Sequence, residues 1–224
     1  MECCCLLSSE ERKRAFEFAF SRRRKQYIMS RYSMRTILSF YLNVHPKEIA
    51  FTYNDYGKPS INATDFEFNL TYRNEHALLA VTHHSPVGID MEQMSHDLDL
   101  EPMARMIFSP QEYRDFLSLD DISKHRALYH AWTCKEAFTK CLGWGLSFDL
   151  KCCQVHLQAP PELLSISHPQ FKAQDYQLYE VQTDLPDSIA VAVTQGDPKQ
   201  LRYFDFQAGL IYEPIQLNIL TTYK

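Results

Sequence analysis

The segment Val87-Gly88-Ile89-Asp90-Met91-Glu92 alternates apolar and polar residues as a strand does. Val87, Ile89 and Met91 then share one face, and Gly88, Asp90 and Glu92 the other. Asp90 and Glu92 become neighbours, with Cα atoms about 7 Å apart. Two carboxylates this close repel unless something positive sits between them. A hard divalent cation with oxygen ligands, most naturally magnesium, meets that need. Gly88, on the same face, is expected to leave room for a ligand to approach the backbone. By itself, an Asp-x-Glu pair also fits an ordinary exposed strand face.

A second group lies in Trp132-Thr133-Cys134-Lys135-Glu136-Ala137-Phe138-Thr139-Lys140. Trp132, Glu136 and Lys140 are spaced by four and line one side of a helix. The opposite side carries Ala127, Ala131, Cys134, Phe138 and Cys141, the expected buried stripe. A Glu–Lys pair at this spacing adds a few tenths of a kcal/mol to any helix. A tryptophan beside it is less expected on a plain solvated surface.

These residues need elements to hold them. Helix is predicted for most of residues 9–42, with Ser9 as a cap, and a stretch at 25–42 repeats apolar residues at helical spacing. There Arg24, Arg31 and Arg35 fall near one face, behind Arg22-Arg23-Arg24-Lys25. That face reads as a solvated charge run or as a phosphate-binding stripe. A turn follows at Asn54-Asp55-Tyr56-Gly57-Lys58-Pro59, then strands at 66–70, 77–81 and 87–92. A helix is expected over 100–108. Ser109-Pro110-Gln111-Glu112 has the form of a helix start, with Ser109 as cap and Glu112 three residues on. The long helix at 125–142 ends at Gly143 and Gly145. Strands at 151–157, 176–182 and 189–194 complete the chain. No Gly- or Ser-rich linker is present, so two halves, if present, pack closely and join near Pro86.

Composition bounds the function. The 224 residues carry 45% hydrophobic and 23% charged residues, an ordinary folded balance, and a net charge of −5 that disfavours a general nucleic-acid binder. None of the seven cysteines makes a Cys-x-x-Cys pair and no His-x-x-x-His pattern accompanies them, so a structural zinc site is not expected. Cys3-Cys4-Cys5 offers acylation chemistry but reads more simply as a tolerated cluster. No signal peptide and no run of some eighteen apolar residues is visible, so a reduced, cytoplasmic protein without a membrane span is expected.

Taken in order, several motifs resemble one family. These are Gly57-Lys58-Pro59, Phe68-Asn69-Leu70-Thr71-Tyr72, Val87 to Glu92, Phe108-Ser109-Pro110-Gln111-Glu112-Tyr113, Trp132 to Lys140, and Gly143-Trp144-Gly145-Leu146. Together they are similar to the 4'-phosphopantetheinyl transferases of the large, single-chain, surfactin-synthetase-activating type, with the match running from about Arg22 to Val193. The resemblance implies an α+β fold of two similar tandem halves, each a small antiparallel sheet packed on helices, with the active site in the cleft between them. The halves are expected at 1–86 and 87–224, in a monomer.

The activity implied is magnesium-dependent transfer of the phosphopantetheine arm of coenzyme A to a serine of an acyl or peptidyl carrier protein, releasing 3',5'-ADP. By resemblance, Asp90, Glu92 and Glu136 hold magnesium, and Lys58 and Lys140 bind phosphate oxygens. Arg22 contacts the nucleotide end, and Gly57, Lys58 and Pro59 lie along the coenzyme with Asn69, Thr71 and Tyr72. Glu112 and Glu136 are both candidates for the general base, with a metal-bound water as a third.

Relatives usually carry Ser-His where this chain has Thr71-Tyr72. Tyr72 can donate a hydrogen bond but cannot carry an imidazolium's charge; Arg73, next in sequence, is placed to compensate. His83-His84 are expected to be surface residues. Two rivals remain: a non-catalytic homologue that binds coenzyme A or a carrier protein, and a metal-dependent nuclease. The retained carboxylates argue against the first. The net charge, and the placing of Glu136 and Lys140 on a helix, argue against the second.

Overall fold

The computed structural model describes residues 2–95, 97–196, 202–204, 206 and 219–222. The order of the main elements is α1 (Ser9–Glu17), α2 (Ser21–Leu42), β1 (Phe51–Tyr53), β2 (Pro59–Ile61), β3 (Phe66–Arg73), β4 (His76–His83), β5 (Val87–Gln93), α3 (Leu100–Ile107), α4 (Pro110–Leu117), α5 (Asp121–Leu142), β6 (Cys153–Val155), β7 (Leu163–Ile166), β8 (Tyr176–Glu180), β9 (Ser188–Gln195) and β10 (Ile219–Thr222). The class is α+β, as expected. Two 22-residue helices, α2 and α5, each accompany a small sheet.

In the first sheet β3 and β4 form an antiparallel hairpin, with β10 added parallel to β4. Its core gathers Met34, Ile37 and Leu38 of α2 against Phe68, Leu79 and Val81. In the second sheet β9 lies between β5 and β8, antiparallel to both. Ile89 and Met91 of β5 pack with Leu78 and Ala80 of β4, and so join the two sheets. The largest core lies around α5, where Ala127, Ala131, Cys134, Phe138 and Cys141 are all buried, the stripe its spacing predicts. Among the described residues no helix is long and apolar enough to cross a membrane.

Four local expectations change. Ser8, not Ser9, caps α1: its hydroxyl accepts from the Glu11 amide while the Glu11 carboxylate accepts from the Ser8 amide. The reciprocal bonds satisfy two otherwise open donors, and only Ser8 has a glutamate three residues on. The arginine face of α2 is neither a solvated run nor a phosphate stripe at Arg35. That guanidinium is buried, paired with Glu11 at 2.7 Å, and donates to the Pro46 and Ile49 carbonyls. The strand expected at 151–157 shortens to Cys153–Val155, because residues 150–152 form a tight helical turn capped by Asp149. Finally, a strand that the sequence reading does not include, β10, pairs with β4, and Phe204 and Phe206 pack against the first core. Pairing with β10 also covers what would otherwise be an open strand edge on β4.

Candidate functional site

A pocket of about 290 Å³ opens between the two sheets and α5, lined by Leu70, Thr71, Tyr72, Arg73, Asp90, Met91, Glu92, Trp132, Glu136 and Lys140. Both groups singled out in the sequence therefore meet here. The meeting depends on Gly88. A Cβ built at that position would lie 2.0 Å from the Ala137 carbonyl oxygen and 2.3 Å from the Cys141 amide nitrogen. The room left by this glycine is filled by the backbone of α5, not by a ligand as its strand position predicts. Because β5 can touch α5 there, Asp90 lies against the turn that carries Glu136 and Lys140.

Asp90 is buried. Its Oδ1 accepts from Lys140 Nζ at 2.5 Å and from Thr71 Oγ1 at 3.2 Å. Its Oδ2 is buried without a hydrogen-bond partner. Lys140 thus bonds across the cleft to Asp90, in place of the i,i+4 bond to Glu136 that spacing allows. Glu92 pairs with Arg73 of the neighbouring strand, so the charge expected to compensate for Tyr72 is already engaged.

Burial and the neighbouring Asp90 raise the affinity of Glu92 and Glu136 for protons. Glu92 is pushed up to about 7, first by burial and next by Asp90, with Arg73 and Lys140 opposing. Glu136 is raised by burial and then by Asp90. In the metal-free protein Glu92 therefore holds a proton that the unfolded chain releases from pH 4.5 upward. The stability this contributes is full below 4.5 and is lost as the pH rises through about 7. His130 acts in the opposite sense: burial lowers it from 6.5 to about 4, so its contribution is lost as the pH falls. The difference between wild type and Glu92→Gln isolates the first effect. By denaturant unfolding in chelator, the wild type should lose stability relative to the variant across this window. A constant gap would mean that Glu92 titrates normally.

An orphaned, buried carboxylate oxygen beside two glutamates of raised pKa is a donor set short of positive charge, and its chemistry fits a hard divalent cation. The fit is in donor type. The oxygens of Asp90, Glu92 and Glu136 are not gathered as tightly as the carboxylate oxygen and ring nitrogens of Asp65, His83 and His84, which among the described residues form the group with all donor atoms within 4.8 Å.

Other expected site residues lie apart from the pocket lining. Glu112 is buried: one oxygen accepts from the Ser109 amide and the Lys135 ammonium, the other from the Val155 amide. A carboxylate held this way cannot serve as a base in an open pocket. Its place in the Ser109–Glu112 capping box was the signal in the sequence, whereas nothing there marked Lys135 as buried. The Lys135 ammonium spends its three protons on Glu112 and on the Ile107 and Leu150 carbonyls. Lys58 is outside the pocket lining too, donating to the Val87 and Cys141 carbonyls at 3.0 and 3.1 Å, and burial pushes its pKa down.

The turn before Lys58 is closed by Asn54, whose side-chain oxygen accepts from the Tyr56 and Lys58 amides, while Gly57 takes φ 84° ahead of Pro59. The Asn54 side-chain nitrogen donates to the Gly143 carbonyl at the end of α5. Lys58 and Asn54 thus fasten this turn to the helix that carries Lys140. Asn69 accepts from the Ile89 amide and ties β3 to β5. Arg22 is exposed at the far end of the hairpin, bonded to Asn74, one residue beyond Arg73.

Residues 86–194 match the model of the 4'-phosphopantetheinyl transferase superfamily. Residues 2–84 match that of the 4'-phosphopantetheinyl transferase N-terminal region. A 4'-phosphopantetheinyl transferase of Bacillus subtilis is 31% identical over 68% of this chain and 67% of its own length. The transferase HetI of a Nostoc species is 38% identical over 63% of this chain, and the match spans only 61% of HetI. Sfp of Bacillus subtilis is 29% identical over 83% of this chain and 82% of its own length.

Proposed function

Because the chain belongs to the 4'-phosphopantetheinyl transferase superfamily, we propose that it transfers the phosphopantetheine arm of coenzyme A to a serine of an acyl or peptidyl carrier protein. The observation that carries the reading is the junction of Asp90, Glu136 and Lys140 in one pocket, with Asp90 Oδ2 buried and unpartnered. Asp90, Glu92 and Glu136 would hold magnesium. When bound, the ion supplies charge neutralisation on the pyrophosphate. Lys140 presents a mobile point charge to a phosphate oxygen, and Thr71 holds Asp90 in place. With Glu112 engaged elsewhere, the proton of the attacking serine would go to Glu136 or to a metal-bound water, and sharing Glu136 with the cation favours the water because the cation stabilises the charged carboxylate. Phosphoryl transfer depends mostly on such positioning and neutralisation. The serine oxygen forms the new bond to the β-phosphorus, and the bond to the leaving 3',5'-ADP breaks.

Tyr72 is half exposed on the lip of the pocket, close in sequence to Asn74, the partner of Arg22. Because Arg73 is committed to Glu92, no free cation on this strand end replaces the histidine usual in relatives. Tyr72→His is expected to tighten coenzyme A binding by several-fold in calorimetry below the imidazole pKa. No gain would remove Tyr72 from the coenzyme contact. The two family matches meet next to Ser85, which supports two halves joined near Pro86.

The direct test is intact-mass measurement of an apo carrier protein after incubation with this protein, coenzyme A and magnesium. The expected result is a gain of one phosphopantetheine group that chelator abolishes. No gain on any carrier, with coenzyme A still bound, would replace this reading with that of a binding protein.

A further inference from the structure

At the opposite end of the β3–β4 hairpin, Asp65, His83 and His84 bring together three donor atoms within 4.8 Å of one another. The register explains the meeting. His83 pairs with Phe66, so Asp65, one residue before β3, lies beside the end of β4. The His84 amide donates to the Asp65 carbonyl at 2.7 Å and fixes the approach. His84 itself takes φ 66°, a left-handed conformation unusual for a residue with a side chain. Held this way, its ring lies against that of His83, with centroids 3.8 Å apart.

The spacing has a chemical sense. His84 Nδ1 and Asp65 Oδ1 are 3.6 Å apart, too far for a good hydrogen bond. Two ligands about 2.05 Å from a tetrahedral ion lie roughly 3.3 Å from each other. Two imidazole nitrogens with one carboxylate oxygen suit a borderline transition-metal ion better than magnesium. Asp65 and His84 side chains are 65% and 51% exposed, which leaves water to complete the shell. Adjacent histidines and an aspartate far back in the sequence do not match the Cys- and His-spacing patterns by which zinc sites are read from sequence.

We propose that Asp65, His83 and His84 form a zinc site at the junction of the two halves. The site is separate from the carboxylate pocket. The six steps of extended strand from Phe66 to Tyr72 span roughly 20 Å. Bound zinc would clip the start of β3 to the link between β4 and β5.

The test is calorimetric titration of zinc chloride into the metal-stripped full chain, with excess magnesium present to occupy the carboxylate pocket. One zinc per chain is expected, and Asp65→Asn and His84→Asn should each weaken it at least tenfold. Asparagine is chosen at 84 because it tolerates positive φ. In parallel, imidazole NMR of the wild type should show zinc shifting His83 and His84. Absence of zinc binding, unchanged affinity in both variants, or shifts confined to other histidines would each overturn the proposal. Carrier modification by the variants in magnesium alone should match wild type, so this test stands apart from that of transfer.

Discussion

Asp90→Asn is expected to lower carrier modification by roughly two to three orders of magnitude, the loss typical when one preorganised electrostatic group is removed from an active site. The substitution keeps shape and leaves an oxygen for the Thr71 hydroxyl, but it removes the charge that holds Lys140 at 2.5 Å and the orphaned oxygen offered to a cation. From the sequence, the strand face reads as solvent-facing, and even Asp90→Ala should leave the fold intact. The structure buries Asp90, so alanine would also open a cavity beside a lysine, and asparagine is the cleaner variant. Lys140 remains partly exposed and can turn to water when its partner is lost. The melting temperature should therefore change little while the mass-spectrometric rate falls. Dependence of the residual rate on magnesium should weaken in parallel. A rate within a few-fold of wild type at equal magnesium would show that Asp90 neither binds the cation nor positions Lys140.

Gly88→Ala is expected to damage both stability and activity. Its Cβ would overlap the Ala137 carbonyl and the Cys141 amide, both backbone atoms of α5. No side chain can swing aside to relieve such contacts, so strand and helix must separate. Overpacking of this kind costs about 3 kcal/mol. The same movement pulls Asp90 away from Glu136 and Lys140, and a displacement near 1 Å at a reacting centre can cost about a hundredfold in rate. Chemical denaturation and the carrier assay would read the two effects separately. A variant as stable and active as wild type would mean that β5 and α5 do not need this contact.

The two predictions differ in what the sequence could reveal. The carboxylate pair, the Trp132–Glu136–Lys140 face and the buried stripe opposite were all legible, because strand and helix periodicities are local and assign faces directly. The Ser109–Glu112 capping box is legible too, yet the family resemblance makes the same glutamate a candidate base. A capped helix start that is also buried leaves the carboxylate no free oxygen, and burial is not local information. Lys58 and Lys140 look alike as lysines near turns and helix ends. One extends toward the Val87 and Cys141 carbonyls and the other toward Asp90, a choice made only when segments distant in sequence pack together.

By itself, the sequence determined the α+β class, the order and type of the principal elements, the family, and the residue types available for a cation and a phosphate. These follow from periodicity, caps and motif order, which act over a few residues at a time. The tertiary structure decided which of these residues share a pocket. It paired Lys140 with Asp90, enclosed Glu112 with Lys135, gave the room at Gly88 to a helix, and drew Asp65 beside His83 and His84. Each of these turns on the close approach of segments distant in sequence, where burial and the need to satisfy every buried polar group select one partner among several.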